Sequence, residues 1–218
     1  MMRSKFENQL NELNKDLILM GALCEEAISK SLDILEDDEF YLVNNVSEIA
    51  AQTDQLERDI ESQCLKLLLR QQPVAKDLRR ISAALKMIYD MKRIGSQSAE
   101  IASIIALKHI KSGQKEVQIL QEMARFVVQM VTDSIDAFVR DDEALAQEVI
   151  VKDSHVDQQF DTIKEGLITY FTEADADGEY AIDALMVSKY IERIGDHAVN
   201  IAKWVLFSIT GQLDGEAT

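Results

Sequence analysis

Apolar residues recur at three- and four-residue spacing through almost the whole chain, and this periodicity is the strongest constraint on the fold. The first segment carries the series Leu10, Leu13, Leu17, Met20, Cys24, Ala27, Ile28 and Leu32. Such spacing is typical of amphipathic α-helices. The 218 residues include a single proline, whereas a fold of short strands needs a turn about every 10 residues. The pattern therefore predicts long helices and argues against an all-β fold.

Short polar segments interrupt the periodicity and divide the chain into helices. These breaks fall at 36–39, Pro73, Ser112-Gly113, 140–143 and 175–178. The resulting prediction is six helices over residues 4–35, 39–70, 74–111, 115–139, 143–173 and 179–210. Helices of about 30 residues are about 45 Å long, so we expect an elongated bundle.

The six segments form two copies of one three-helix unit. The run Asp37-Asp38-Glu39 reappears as Asp141-Asp142-Glu143, and Arg93-Ile94-Gly95 reappears as Arg193-Ile194-Gly195. Matching residues inside matching elements are the signature of a repeat. The sequence therefore predicts an all-α fold of two tandem three-helix-bundle repeats.

We place the repeats at residues 1–112 and 113–218. Gly95 and Gly195 stand at matched positions inside the third helix of each repeat. A glycine there costs roughly 1 kcal/mol relative to alanine, so its repetition indicates the close approach of another helix or of a ligand. Both interpretations stay open at this stage.

Two pairs of carboxylates in the second repeat are candidates for binding a cation. Asp153 and Asp157 lie four residues apart on the fifth helix, and Glu192 and Asp196 lie four apart on the sixth. Like charges at this spacing destabilise a helix by about 0.2–0.5 kcal/mol, and a hard or borderline cation would neutralise them. One such pair is common in an acidic chain. Two pairs on consecutive helices, one beside the repeated Arg-Ile-Gly, indicate a site.

Composition and motifs exclude several other functions. The formal charge of −16 argues against nonspecific nucleic-acid binding, which needs clustered lysine and arginine. No Glu-x-x-His, G-x-x-x-x-G-K-[ST] or G-x-S-x-G sequence occurs, and we assign no catalytic residue. The start lacks the apolar core of a signal peptide, and the stretch 204–213 is about half of the ~20 residues that a membrane span requires. We expect a soluble, cytoplasmic protein.

Two segments resemble the PhoU family of bacterial phosphate-transport regulatory proteins. They are residues 70–79, RQQPVAKDLR, and residues 192–202, ERIGDHAVNIA. The resemblance extends over essentially the whole chain and includes the duplicated three-helix architecture. It implies a non-enzymatic regulator that represses phosphate-starvation signalling. Such a protein acts between the phosphate ABC transporter ATPase and a sensor histidine kinase, at the inner face of the membrane.

The resemblance also implies a metal site, because family members bind metal clusters through Glu/Asp-x-x-x-Asp motifs in each repeat. In the second repeat the motifs are matched by Asp153, Asp157, Glu192 and Asp196. The residues expected to add ligands or support them are Arg193, His197 and Asn200. Oxygen ligands admit Fe, Zn, Mn or Mg, so the divalent or trivalent metal stays open.

The first repeat departs from the motif. Ala50 stands where the first acid of the second helix is expected, although Asp54 remains. Lys92 and Ser96 replace the two acids of the third helix, and Gln97 replaces the histidine. Since an ammonium in place of a ligand repels a cation, we predict one metal site and not two.

Partner binding leaves a weaker signal. A basic cluster stands at the turn between the second and third helices and comprises Arg70, Lys76, Arg79 and Arg80. It is either a solvated end of the bundle or a docking surface for an acidic partner or the membrane surface. A homodimer is also expected, since long bundles often pair. The alternative functions are a metal-dependent hydrolase and a helical scaffold without a ligand.

Overall fold

Every regular element in the described part of the protein is an α-helix. The computed structural model describes residues 2–35, 41–71, 73–111 and 113–212. Its helices are α1 (Met2–Asp33), α2 (Tyr41–Gln71), α3 (Ala75–Ile105), α4 (Lys115–Arg140), α5 (Glu143–Tyr170) and α6 (Gly178–Thr210). The predicted all-α fold of six helices is confirmed. The predicted break at 36–39 and the residue Ser112 lie outside the described residues.

The acidic breaks of the second repeat end one helix and cap the next. Asp141 takes a left-handed conformation with φ of 53° at the end of α4. The Asp142 side chain then accepts a hydrogen bond from the Leu145 backbone N–H at the start of α5. Asp177 does the same for Glu179 and Tyr180 at the start of α6.

The third helix is shorter than predicted. We expected it to reach residue 111, but α3 ends at Ile105. Lys108 takes a φ of 66°, and His109 Nδ1 lies 2.8 Å from Asp183 Oδ2 on α6. This long-range contact fixes a turn that the continuing apolar series does not reveal. Gly113 has a φ of 95°, but it follows the helix end by several residues and does not stop the helix.

The fifth helix is also shorter than predicted, by three residues. It ends at Tyr170, where the side-chain oxygen of Tyr170 accepts a hydrogen bond from the Asp177 backbone N–H at 2.8 Å. The ring of Tyr170 also packs edge-on against Tyr180, with centroids 5.3 Å apart. These contacts hold the α5–α6 turn against the bundle.

The two three-helix units pack through equivalent helices. Within each unit all three helices contact one another, and the units meet through α1 on α4 and α3 on α6. In the described residues, α2 and α5 contact only their own unit. Buried apolar side chains of both units form one continuous core. Helix α6 therefore contacts α5 on one side and the first repeat on the other.

Candidate metal centre

The two predicted carboxylate pairs lie on neighbouring helices. Asp153 and Asp157 are one turn apart on α5, and Glu192 and Asp196 are one turn apart on α6, which packs against α5. Asp153 is half-buried and the Glu192 side chain is 14% exposed, whereas Asp157 and Asp196 are exposed. The structure thus brings the predicted residues to adjacent helices at different depths.

The pKa of Asp153 responds to its burial and to the other three carboxylates. Burial raises the pKa of Asp153 from 3.8 to about 6, with further contributions from Asp157, Asp196 and Glu192. Lys203 acts in the opposite direction. Burial and the neighbouring carboxylates therefore both disfavour the charged form of Asp153.

One of the four carboxylates already has a cationic partner. Lys189 Nζ lies 2.5 Å from Glu192 Oε2 and 2.7 Å from Glu192 Oε1, and 5.0 Å from the centre of the Phe160 ring. Among the described residues, no group of three or more His, Cys, Asp or Glu side chains is arranged to hold one ion. The donor chemistry fits a hard or borderline cation, but such a cation would compete with Lys189 for Glu192.

The two repeated glycines have different surroundings. A Cβ on Gly95 would lie 2.5 Å from Thr53 Oγ1, so α2 and α3 approach closely there. A Cβ on Gly195 would lie 3.5 Å from Asp153 Oδ1 and 3.6 Å from Val156 Cγ1, which are ordinary contacts. The close helix approach expected at these positions is confirmed for Gly95. At Gly195 the packing leaves room for a methyl group.

His197 and Asn200 face the first repeat. His197 Nδ1 lies 2.8 Å from Asp90 Oδ1, and its Nε2 lies 3.3 Å from Gln97 Nε2. Asn200 Nδ2 donates to Asp90 Oδ1 at 3.5 Å. Both ring nitrogens of His197 therefore have partners on α3, while Arg193 is exposed on α6 beside the carboxylates.

Sequence reasoning missed Asp90, which is only 6% exposed. It stands on the apolar face of α3 among the buried residues Met87, Met91 and Ile94. A lone acid on an apolar face signals a buried polar contact, because an unpaired buried carboxylate is costly. That signal was present in the sequence, but it does not identify His197 as the partner.

In the first repeat a lysine pairs with the carboxylates. Lys92 Nζ lies 3.2 Å from Glu57 Oε2 and 3.8 Å from Asp54 Oδ1, both on α2. The Ser96 hydroxyl donates to the Lys92 carbonyl oxygen at 3.1 Å. The ammonium therefore lies between α2 and α3 and partly offsets the charge of these two carboxylates.

Two residues of the basic cluster, Arg80 and Lys76, form contacts within the protein. Arg80 pairs with Asp141, donates to the Phe138 carbonyl oxygen at 3.0 Å, and lies 4.4 Å from the centre of the Phe138 ring. Lys76 Nζ lies 3.2 Å from Asp141 Oδ2. These contacts tie α3 to the end of α4. Arg79 is half-buried, and the side chain of Arg70 lies outside the described part.

The PhoU domain model matches the chain twice, over residues 17–105 and 120–205. The chain belongs to the PhoU family. One match falls in each three-helix unit, so the tandem PhoU repeat predicted from the sequence is confirmed. No helix in the described ranges has the length and apolar character needed to cross a membrane.

Similar proteins are named phosphate-specific transport system accessory protein PhoU homolog. The one from Pseudomonas aeruginosa is 32% identical over 209 residues, which are 95% of this chain and 86% of that protein. The one from Clostridium acetobutylicum is 32% identical over 216 residues, which are 97% of each chain.

Two solved PhoU structures share the fold. The crystal structure of PhoU from Pseudomonas aeruginosa has a TM-score of 0.88 at 32% identity and covers 95% of this chain and 100% of that one. The phosphate transport system regulatory protein PhoU from Streptococcus pneumoniae has a TM-score of 0.87 at 24% identity, with 95% and 98% covered. The second likeness supports the fold alone.

Proposed function

We propose that this PhoU-family protein is a cytoplasmic negative regulator of phosphate uptake and of phosphate-starvation signalling. It acts as a homodimer between the phosphate ABC transporter and its sensor histidine kinase. The observation that carries the proposal is the pair of PhoU-domain matches, one in each repeat. Relatives named as accessory proteins of phosphate-specific transport support the same role.

Deletion of the gene in its source cell tests this role. Without the regulator, phosphate-starvation genes should be expressed in phosphate-rich medium, phosphate uptake should change, and a plasmid copy should restore both. Unchanged uptake and unchanged phosphate-responsive expression would contradict the proposal.

A divalent or trivalent cation bound by the second repeat is part of the proposal. Asp153, Asp157, Glu192 and Asp196 would hold it, and the position of the two pairs, each one turn apart on the neighbouring helices α5 and α6, supports this assignment. When bound, the cation supplies positive charge between α5 and α6. The residues of the chain then bind and position it, and we assign no catalytic step.

Metal analysis of the purified full chain tests the site. The protein is incubated with Mg²⁺, Mn²⁺, Zn²⁺ or anaerobic Fe²⁺ in separate samples, desalted, and analysed by mass spectrometry for metal per chain. Asp153→Asn and Glu192→Gln should each lose the bound metal. The matched control is Asp54→Asn with Glu57→Gln, because these carboxylates pair with Lys92 in the first repeat. Metal retained in both second-repeat variants, or lost equally in the control, would refute the assignment.

The basic cluster is the proposed docking surface for an acidic partner or the membrane surface. Since Arg80 and Lys76 pair with Asp141, reversing their charge would also disturb packing between the repeats. Arg79→Glu is the cleaner test, read out as capture of the transporter ATPase or the kinase. Unchanged capture of both would refute docking through this cluster.

A further inference from the structure

The two helical hairpins of the protein carry opposite charge at their turns. Residues 61–86, which include the α2–α3 turn, hold six Lys and Arg against two Asp and Glu. The corresponding residues of the second repeat, 161–186, include the α5–α6 turn and hold seven Asp and Glu against one lysine. We call these two stretches the basic end and the acidic end.

The basic end and the acidic end lie at opposite ends of the molecule, because α3 and α6 run antiparallel. Gly211, just after α6, lies beside Arg79 near the start of α3, and a Cβ on this glycine would be 3.4 Å from Arg79 Cδ. At the other end His109, shortly after α3, contacts Asp183 near the start of α6. One copy of the protein therefore cannot bring its own two charged ends together.

The acidic end carries an exposed apolar surface that extends over two helices. Tyr170 of α5 packs against Tyr180 of α6, with ring centroids 5.3 Å apart. Ile168 and Ile182 are each two residues further from the turn, so they lie at the same level on the two helices. The exposed apolar side chains of this end are Ile168, Phe171, Ile182, Leu185 and Met186. Apolar side chains that cluster on a surface in this way mark an interaction site.

The basic end carries a matching apolar surface. Leu65 follows the buried Ile60 by five residues. Ile168 follows the buried Ile163 by the same interval, so Leu65 and Ile168 occupy equivalent positions in the two repeats. Leu69 is 84% exposed, which leaves most of its side chain for a partner. The exposed apolar side chains of this end are Leu65, Leu69, Val74 and Leu78.

A second copy of the chain supplies what each end lacks. The formal charge of −16 makes copies repel one another in general, so a stable contact between copies has to use the basic end. Lys66 at that end, and Glu173 and Asp175 at the acidic end, are exposed and have no ion-pair partner among the residues that the structure describes. Opposite charges around two apolar surfaces give an interface both attraction and a defined orientation.

The placement of the two ends allows the contact to form twice. Helix α1 packs on the α2–α3 hairpin, α4 packs on the α5–α6 hairpin, and α1 contacts α4. Both hairpins are therefore covered from the same side, and their exposed surfaces face the same way. A two-fold axis midway between the ends exchanges them, so each copy contributes one basic and one acidic end and the assembly closes as a dimer.

We propose that the homodimer forms by docking of the basic end of each copy on the acidic end of the other. The inference rests on the homodimer of the proposed function and identifies its contact surfaces. The acidic partner of the basic cluster is then a second copy of this chain.

Sedimentation velocity of the full chain over a wide range of concentrations tests the interface. One variant changes the charge of the acidic end, through Glu173→Lys with Asp175→Lys. A second variant changes the charge of the basic end, through Lys66→Glu with Arg79→Glu. The two variants are measured separately and as an equimolar mixture.

Two further proteins complete the experiment. Ile168→Ser removes apolar contact area without a change of charge. The matched control is Glu122→Lys with Glu148→Lys, two exposed acids of the second repeat that lie outside the acidic end. Circular dichroism confirms that each variant is helical.

The wild type should dimerise, and each of the two charge variants should self-associate about ten-fold more weakly or less. The mixture should associate more strongly than either variant alone, because its mixed dimer contains one unaltered contact between a basic end and an acidic end. Ile168→Ser should weaken the dimer about ten-fold, since the substitution lies in both contacts. The control should match the wild type.

Four results would overturn the inference. A dimer that survives in both charge variants would exclude this interface and leave the homodimer standing, and so would weaker dimers that do not recover in the mixture. If the variant of the acidic end keeps the dimer but loses capture of the transporter ATPase or the kinase, the acidic end binds that protein instead. Assemblies larger than a dimer would exclude the closed arrangement. A wild type that stays monomeric at every concentration would refute the proposed homodimer and this inference together.

Discussion

Replacing the two repeated glycines by alanine should have opposite effects on stability. In Gly95→Ala the new methyl group would meet Thr53 Oγ1 at 2.5 Å and the Thr53 Cβ and Cγ2 at 3.4 Å. Thr53 is fully buried, and its hydroxyl donates to the Ala50 carbonyl oxygen at 2.8 Å. Overpacking costs about 1–3 kcal/mol and the strained hydrogen bond about 0.5–1.5 kcal/mol, against a gain of about 1 kcal/mol in helix propensity.

The expected loss for Gly95→Ala is therefore about 1–3 kcal/mol in the free energy of unfolding. Gly195→Ala meets only ordinary contacts of 3.5 Å or longer, so it should gain about 0.5–1 kcal/mol from helix propensity. Urea unfolding followed by circular dichroism measures both, and the slope with urea checks that the unfolded surface is unchanged.

A double-mutant cycle isolates the contact. In a Thr53→Ala background the clash is removed, so Gly95→Ala should cost about 1–2 kcal/mol less than in the wild type. The reasoning is refuted if Gly95→Ala is at least as stable as the wild type. It is equally refuted if the cost of Gly95→Ala is the same in both backgrounds.

Three further predictions concern charges. The pKa of His109 is raised mainly by its hydrogen bond to Asp183, so this contact stabilises the protein below pH 6.5 and its contribution is lost as pH rises through the raised pKa. In urea titrations across pH, the stability difference between wild type and His109→Gln should therefore vanish above that pKa. A stability difference that grows with pH would contradict this prediction. Lys189→Met frees Glu192 and should tighten metal binding up to about five-fold by calorimetry, whereas weaker binding would show that the lysine supports the site. Lys92→Glu should lower the free energy of unfolding by about 1–2 kcal/mol, because it removes the ammonium that lies against the carboxylates of α2. Mn²⁺ should recover part of this loss in thermal melts by supplying positive charge at the same place. No response to Mn²⁺ would contradict the idea that a metal ion can replace the Lys92 ammonium.

Local pattern was enough to predict most helix boundaries. The predicted fourth and sixth helices differ from α4 and α6 by one residue at one end, because the acidic breaks carry their own caps. The end of α3 could not be predicted in this way. Its apolar series continues to Ile110, and the turn depends on the contact of His109 with Asp183, which is 74 residues away along the chain.

Local pattern has the same limit at the candidate site, whose metal stays a prediction. Spacing on one helix identifies carboxylates that share a face, so the pairs at Asp153 and Glu192 were accessible from the sequence. It does not show which face points to which repeat. His197 was expected near the cation, whereas its ring nitrogens lie against Asp90 and Gln97. The Lys189–Glu192 pair has a local spacing of three residues and was within reach of sequence reasoning.

The two repeats differ in net charge and also in how a lysine lies against their carboxylates. Residues 1–112 hold 15 Lys and Arg against 18 Asp and Glu, whereas residues 113–218 hold 8 against 21. In the first repeat Lys92 lies near two carboxylates and is 31% exposed. In the second repeat Lys189 pairs with one carboxylate among the described residues, that of Glu192, and is 47% exposed. The pKa of Asp153 is raised to about 6. A half-buried lysine on a neighbouring helix is harder to displace than an exposed one on the same helix, so Lys92 is the more permanent counter-charge. The proposed cation would do in the second repeat what Lys92 does in the first, which is to place positive charge against carboxylates where two helices meet.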